Sequence, residues 1–190
     1  MAEEGQGLLG EVELRPEDYF PYPEFRRYQR EVIEFAYKII SEGRIGLLNA
    51  PCGIGKSVAV LTAYLMAREA GLEGPEAKLM ILTRTKAQLE IYVREVRHIR
   101  EALGLDLKAA VFASRQDMCP LRLEAPALAK ASYRDFLRAC KQLRRGAGGV
   151  CPYYEATYRT RFKPSSATRS AVERALRLGA TLPGELVEVC

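Results

Sequence analysis

The stretch Leu47–Ser57, "LLNAPCGIGKS", constrains this chain more than any other. An apolar run gives way to Ala50-Pro51-Cys52-Gly53-Ile54-Gly55-Lys56-Ser57, which fits the phosphate-binding pattern G-x-x-x-x-G-K-[ST] with Ala50 at the first glycine position. The spacing has a chemical reason. Gly53 and Gly55 let the backbone curl so that successive N–H groups point inward at phosphate oxygens. A helix starting near Lys56 adds the positive end of its dipole. The Lys56 ammonium is then placed for the β- and γ-phosphates of ATP, and the Ser57 hydroxyl for Mg²⁺. Ala50, Gly53, Gly55, Lys56 and Ser57 are therefore the candidate nucleotide site, with Lys56 its candidate catalytic side chain. The plain alternative is a glycine turn with an exposed lysine; a strand before the loop and a helix after it argue against that. Cys52 is read as a tolerated small side chain rather than a ligand.

The flanks supply that context. "FRRYQREVIEFAYKIISEG" places apolar residues at Phe25, Tyr28, Val32, Phe35, Ala36, Ile39 and Ile40, a helical spacing that Gly43 stops. "RIGLLNA" (44–50) predicts a buried strand and "KSVAVLTAYLMAREAG" a helix ending at Gly71. "KLMILT" (78–83) predicts a second strand, "TKAQLEIYVREVRHIREALG" a long helix ending at Gly104, and "LKAAVFA" (107–113) a third strand. Strands alternating with helices predict an α/β fold with a parallel sheet and flanking helices.

After Ala113 the pattern changes to short helical pieces rich in Arg, Ala, Pro and Gly. Residues 1–113 carry 15 Lys/Arg against 17 Asp/Glu, whereas residues 114–190 carry 14 against 7. Two readings of this basic part stand side by side: a polyanion partner, nucleic acid first, or a solvated basic surface. The expected organisation is a flexible N-terminus (1–18), a nucleotide-binding part (19–113) and a separate basic part (114–190).

Four of the five cysteines, Cys119, Cys140, Cys151 and Cys190, lie in the basic part, with 20, 10 and 38 residues between them. These gaps are too wide for a zinc ribbon or finger. Four thiolates can hold a [4Fe–4S] cluster; the alternative is four buried or free cysteines. The chain has no apolar run near the ~20 residues that span a bilayer, and its acidic N-terminus lacks the basic start of a signal peptide. No membrane role and an intracellular location, cytoplasmic or nuclear in a eukaryote, are expected.

Three strings carry a resemblance: "FPYPEFRRYQREVIEFAYKIISEGRIGLLNAPCGIGKS", "FASRQDMC" ending at Cys119, and "CPYYEATYR" starting at Cys151. With Thr83-Arg84-Thr85 in "MILTRTKAQLEIYVREV", their order resembles the XPD-type iron–sulfur DNA helicases of superfamily 2, of the XPD and DinG kind, over roughly residues 19–190. The resemblance implies a partial RecA-like domain followed by a mainly helical iron–sulfur insertion. It implies that Cys119, Cys140, Cys151 and Cys190 ligate the cluster. Thr83, Arg84 and Arg115 would face DNA, and Gln29 would sit near the base of the nucleotide. The implied partners are single-stranded or fork DNA, and the implied activity is ATP-driven 5′→3′ unwinding, as in DNA repair. Two departures matter. Cys52 stands where that family has Ser or Thr, and the family continues beyond its fourth cysteine into further helicase domains, which would have to come from the same gene or a separate chain.

No adjacent acidic pair follows the loop; Glu3-Glu4 and Glu17-Asp18 both precede it. Phosphoryl transfer needs a carboxylate to hold Mg²⁺ and a group to position water. These residues are therefore expected to bind ATP without hydrolysing it or unwinding DNA by themselves. Two other classes compete: a non-enzymatic, metal-stapled nucleic-acid-binding module with a vestigial loop, and a small P-loop kinase or regulatory ATPase with incidental cysteines.

Overall fold

The computed structural model describes residues 14–72, 78–158 and 166–189. Most of the expected flexible N-terminus and the candidate ligand Cys190 lie outside them. Among the described residues every regular element is helical, and the chain packs as two compact units.

The first unit comprises Met1–Leu82 and Glu101–Gly104. Its described core is a pair of helices, α1 (Gln29–Ser41) and α2 (Lys56–Glu69). Val32 and Ile33 of α1 pack with Val58, Ala59, Ala63 and Met66 of α2, and Phe20 closes the cluster. Phe20 in turn meets the ring of Phe25 at 4.4 Å between centroids. Thr62, buried in α2, donates its hydroxyl to the Tyr19 carbonyl at 3.3 Å, so the incoming chain is tied across the helix pair.

The second unit comprises Thr83–Arg100 and Leu105–Cys190. It holds most of α3 (Lys86–Leu103), then α4 (Leu121–Glu124), α5 (Pro126–Lys130), α6 (Tyr133–Arg144), α7 (Pro152–Tyr158), α8 (Ser166–Leu178) and α9 (Pro183–Val189). Ser132 caps α6: its hydroxyl accepts the Asp135 N–H at 3.2 Å, satisfying a donor the helix start leaves orphaned. The apolar face of α3 buries Val93, Val96 and Ile99, spaced one turn apart. From the same helix Arg97 donates to the Ala180 carbonyl at 3.0 Å and to Glu185 at 2.5 Å. Arg100 donates to the Leu107 carbonyl at 2.5 Å. The Arg100 guanidinium passes so close to Gly179 that a Cβ there would lie 2.3 Å from it, and Gly179 has φ +77°. Only glycine meets both demands.

The expected parallel sheet with its RecA-like core is not formed. Among the described residues there is no strand, and the one β-bridge joins Ala109 to Ala180, in parallel, outside any ladder. Segments 44–50, 78–83 and 107–113 form no strand and expose several of the side chains that suggested burial: Ile45 is 102% exposed, Leu47 96%, Met80 83%, Leu82 88% and Phe112 78%, while Leu107 is buried. The physical reason is that a short apolar run states only a preference for burial. A strand exists through hydrogen bonds and side-chain pairs with neighbouring strands, and those are not encoded in the run itself.

Glu185 Oε2 accepts from Arg97 and also from the Leu182 N–H at 2.7 Å, reaching back over the first turn of α9. The Arg97 hydrogen bond first, then the Leu182 N–H and the Arg97 charge, hold this carboxyl below its ordinary range, against a smaller opposing effect of burial. A carboxyl whose folded pKa lies below the unfolded one contributes stability that is complete above the unfolded pKa. That stability is lost as pH falls through the folded pKa. Glu185→Gln is therefore expected to lower unfolding stability by on the order of 1 kcal/mol at pH 7, discounted because both side chains are partly exposed, and by less at pH 3. Urea unfolding of both proteins at the two pH values checks this; equal midpoints at pH 7 would contradict it.

Candidate functional site

The glycine loop lies in the first unit, between residues 44–50, which form no regular element, and α2. Gly53 and Gly55 adopt φ +86° and +81°, the left-handed region that glycine enters without strain. Gly55 is the residue from which α2 departs, and no side chain caps that end. The first N–H groups of a helix have no intrahelical partner and carry its positive end, so the start of α2 suits an anion. Lys56 Nζ turns back onto the loop and donates to the carbonyls of Ala50 at 2.9 Å and Pro51 at 2.7 Å. Its ammonium thereby closes the loop into a ring with the charge held inside it. Ser57 follows in the first turn of α2.

Two residues of the preceding segment brace this ring. Gln29, 2% exposed at the start of α1, donates Nε2 to the Gly55 carbonyl at 3.3 Å and accepts the Arg26 N–H on Oε1 at 3.0 Å. Arg26 also donates from Nη1 to the Gly53 carbonyl at 2.5 Å. The sequence expectation set Gln29 near the base of a nucleotide; the structure places it against the backbone of the loop. Arg26 was not singled out from sequence, although its position three residues before Gln29 was the available signal.

Thr83, Arg84 and Arg115 lie in the second unit. Arg84 and Arg115 are exposed. The Gln88 side chain accepts the N–H groups of Arg84 and Thr85 at 3.1 and 3.2 Å, which fixes the entry to α3. Lys86 then forms an ion pair with Asp117 at 2.8 Å. Asp117 also accepts the Ser114 hydroxyl at 2.6 Å. Its carboxyl is held low by the Lys86 and Ser114 hydrogen bonds, against burial, with the Lys86 and Arg122 charges adding to the effect. The Lys86–Asp117 pair draws the Thr83–Arg84 segment and the Arg115 turn together, two residues from each arginine. Neither Lys86 nor Asp117 was picked out by the sequence, because their link spans 31 residues.

Cys119, Cys140 and Cys151 are half-buried and carry free thiols. Burial pushes the Cys119 thiol up. The backbone N–H groups of Arg122 and Leu121 oppose that by hydrogen bonding to it, and the neighbouring Cys140 and Cys151 push it up further. These three cysteines are thus electrostatic neighbours, drawn from the turn before α4, from α6 and from the start of α7. They do not stand at ligand distance: among the described residues no three His, Cys, Asp or Glu side chains form a group that could hold a metal ion. Cys52 is exposed on the glycine loop.

A DEAD_2 family model matches residues 81–180, more than half of the chain. The chain belongs to the DEAD_2 family. That places it among DEAD/DEAH helicase-like proteins, with a helicase-like, nucleic-acid-related function. The DEAD_2 match takes in Thr83, Arg84, Arg115, Cys119, Cys140 and Cys151, and leaves out the glycine loop and Cys190. Comparison with curated proteins and with solved structures gives no significant match. No helix among the described residues of this DEAD_2 protein is long and apolar enough to cross a membrane.

A Cβ added to Gly55 would lie 2.1 Å from Gln29 Nε2, whereas one on Gly53 would meet nothing within 4 Å. Both positions have positive φ, so both alanine substitutions carry backbone strain, and Gly55→Ala adds a clash with a buried amide. Gly55→Ala is expected to destabilise more than Gly53→Ala. Its effect should be non-additive with Gln29→Ala by roughly 0.5–3 kcal/mol, because removing the amide also removes the clash. A double-mutant cycle by urea unfolding measures the coupling; strict additivity would show that Gln29 does not brace the loop.

Proposed function

We propose that this chain is the N-terminal part of an ATP-dependent 5′→3′ DNA helicase of the XPD type, acting in DNA repair. It binds ATP–Mg²⁺ at the glycine loop and single-stranded or fork DNA through its second unit. The observation that carries the reading is the loop itself. Two left-handed glycines lead into α2, Gln29 and Arg26 brace their carbonyls, and the Lys56 ammonium rests on Ala50 and Pro51. A phosphate entering the ring meets the helix start and takes Lys56 from the two carbonyls. The ammonium exchanges neutral acceptors for an anion, a stronger charge-assisted bond. Ser57 is placed for the Mg²⁺ that accompanies the nucleotide. Ala50, with no polar side chain, leaves its carbonyl as the resting partner of Lys56.

Binding is not turnover. No adjacent acidic pair follows the loop in the sequence, so no carboxylate is evident to hold Mg²⁺ from the opposite side, and hydrolysis by these residues alone stays near background. DNA contact falls to Thr83, Arg84 and Arg115, with the remaining helicase domains as partners. Cys119, Cys140 and Cys151 offer the thiolate donors that a [4Fe–4S] cluster takes, although among the described residues they do not stand together at ligand distance. Cys190 is proposed as the fourth ligand. When bound, the cluster supplies a four-point clamp on a segment with little apolar core.

A second reading, a metal-stapled nucleic-acid-binding module with a vestigial loop, is favoured by a family match that leaves the loop out. The two readings differ at Lys56. Removing a charged hydrogen-bond partner of phosphate costs about 1.5–3 kcal/mol, so Lys56→Ala is expected to weaken ATP binding about tenfold or more, measured by titration calorimetry with Mg²⁺. Anaerobically purified protein is expected to hold about four irons per chain, lost in Cys119→Ser. ATP affinity equal in wild type and Lys56→Ala would favour the vestigial loop; a single tightly held zinc would remove the cluster.

A further inference from the structure

The last turn of α6 and the start of α7 form a feature that neither the loop nor the cysteines explain. Lys141, Arg144 and Arg145 converge with Tyr154 around a surface pocket of about 310 Å³, the four residues that line it. Ligand pockets begin near about 300 Å³. The helix dipole accounts for cations in a last turn. It does not account for an aromatic ring brought beneath them from the next helix. The Arg144 guanidinium lies 4.4 Å from the centroid of the Tyr154 ring. Next to Tyr154, the Tyr153 hydroxyl is hydrogen-bonded to Glu124 of α4, which anchors the start of α7. Among the described residues no acid lines the pocket, so its walls carry net positive charge.

We infer that this pocket is a nucleotide-unit site for single-stranded nucleic acid. Lys141 and Arg145 take backbone phosphate, and the Arg144–Tyr154 pair offers a planar surface for one base. The chemistry is specific in kind. Phosphate alone asks only for cations, while an unstacked base asks for a flat aromatic or guanidinium face beside them. A single strand supplies both groups at the spacing of one nucleotide. A duplex keeps its bases stacked inside and offers phosphate alone. The inference rests on the nucleic-acid part of the function proposed above, and it adds α6 and α7 to the surface that Arg84 and Arg115 begin.

The test uses the full chain and a fluorescent oligothymidylate, read by anisotropy, with inorganic polyphosphate as the probe without bases. Tyr154→Ala is expected to weaken oligothymidylate binding by roughly 5- to 100-fold, the range for one stacked base, with Tyr154→Phe close to wild type. Polyphosphate binding should not respond to either change. Lys141 and Arg145 are exposed. Replacing both with Ala should lower the slope of log affinity against log salt by about 1.4, or about 0.7 for each single-strand phosphate no longer neutralised. The site is overturned if Tyr154→Ala binds oligothymidylate like wild type, if Tyr154→Phe loses as much as Tyr154→Ala, or if polyphosphate binding falls in parallel. An unchanged salt slope in the double variant overturns its phosphate half. A wild-type chain that ignores oligothymidylate at low salt fails the proposed function itself, whereas binding that ignores these four residues fails only this pocket.

Discussion

Gln29 spends both ends of a buried amide on backbone, one on the Gly55 carbonyl and one on the Arg26 N–H. A buried amide that loses a partner costs about 1–3 kcal/mol, so the bond holds the loop as firmly as it satisfies the side chain. The rest of the first unit depends on it. It fixes where α2 begins relative to α1, and the packing of Val32 and Ile33 on Val58 and Ala59 follows from that position. It also explains why Gly55 must be glycine: the amide occupies the space a Cβ would need, and the backbone is left-handed there. A loop shaped in advance in this manner would lower the ordering cost of the phosphate binding proposed for it.

The second unit is held in a different manner. Two arginines one turn apart on α3 reach the backbone that links distant elements, Arg97 to Ala180 and Arg100 to Leu107. Together with Ala109 bonded to the Gly179 carbonyl at 2.8 Å, they gather residues 107–109 and 179–185 onto one helix. Polar clamps do much of the work that a large apolar core does elsewhere.

The sequence disclosed what is local. The helices α1, α2 and α3 follow from 3.6-residue spacing and glycine stops at Gly43, Gly71 and Gly104, each of which has positive φ. The left-handed turns at Gly53 and Gly55 follow from the loop pattern. What depends on distant partners was not legible. The apolar runs around Leu47, Met80 and Phe112 suggested strands, yet pairing is a property of two segments and none of the three found a ladder. The role of Gln29 depends on a loop 26 residues away, and the Arg97–Glu185 bond spans 88. Tyr154 read as part of a cysteine-flanking string, and only the fold sets it under Arg144.

The central claim is that the ring closed by Lys56 on Ala50 and Pro51 is a resting nucleotide site. Amide hydrogen exchange across residues 50–59, with and without Mg-ATP, tests it most directly. If the start of α2 receives phosphate, exchange at Gly53, Ile54, Gly55, Lys56 and Ser57 slows when Mg-ATP is added and is restored when it is removed, while α8 and α9 are unaffected. Exchange at those five amides that is indifferent to saturating Mg-ATP would contradict the account.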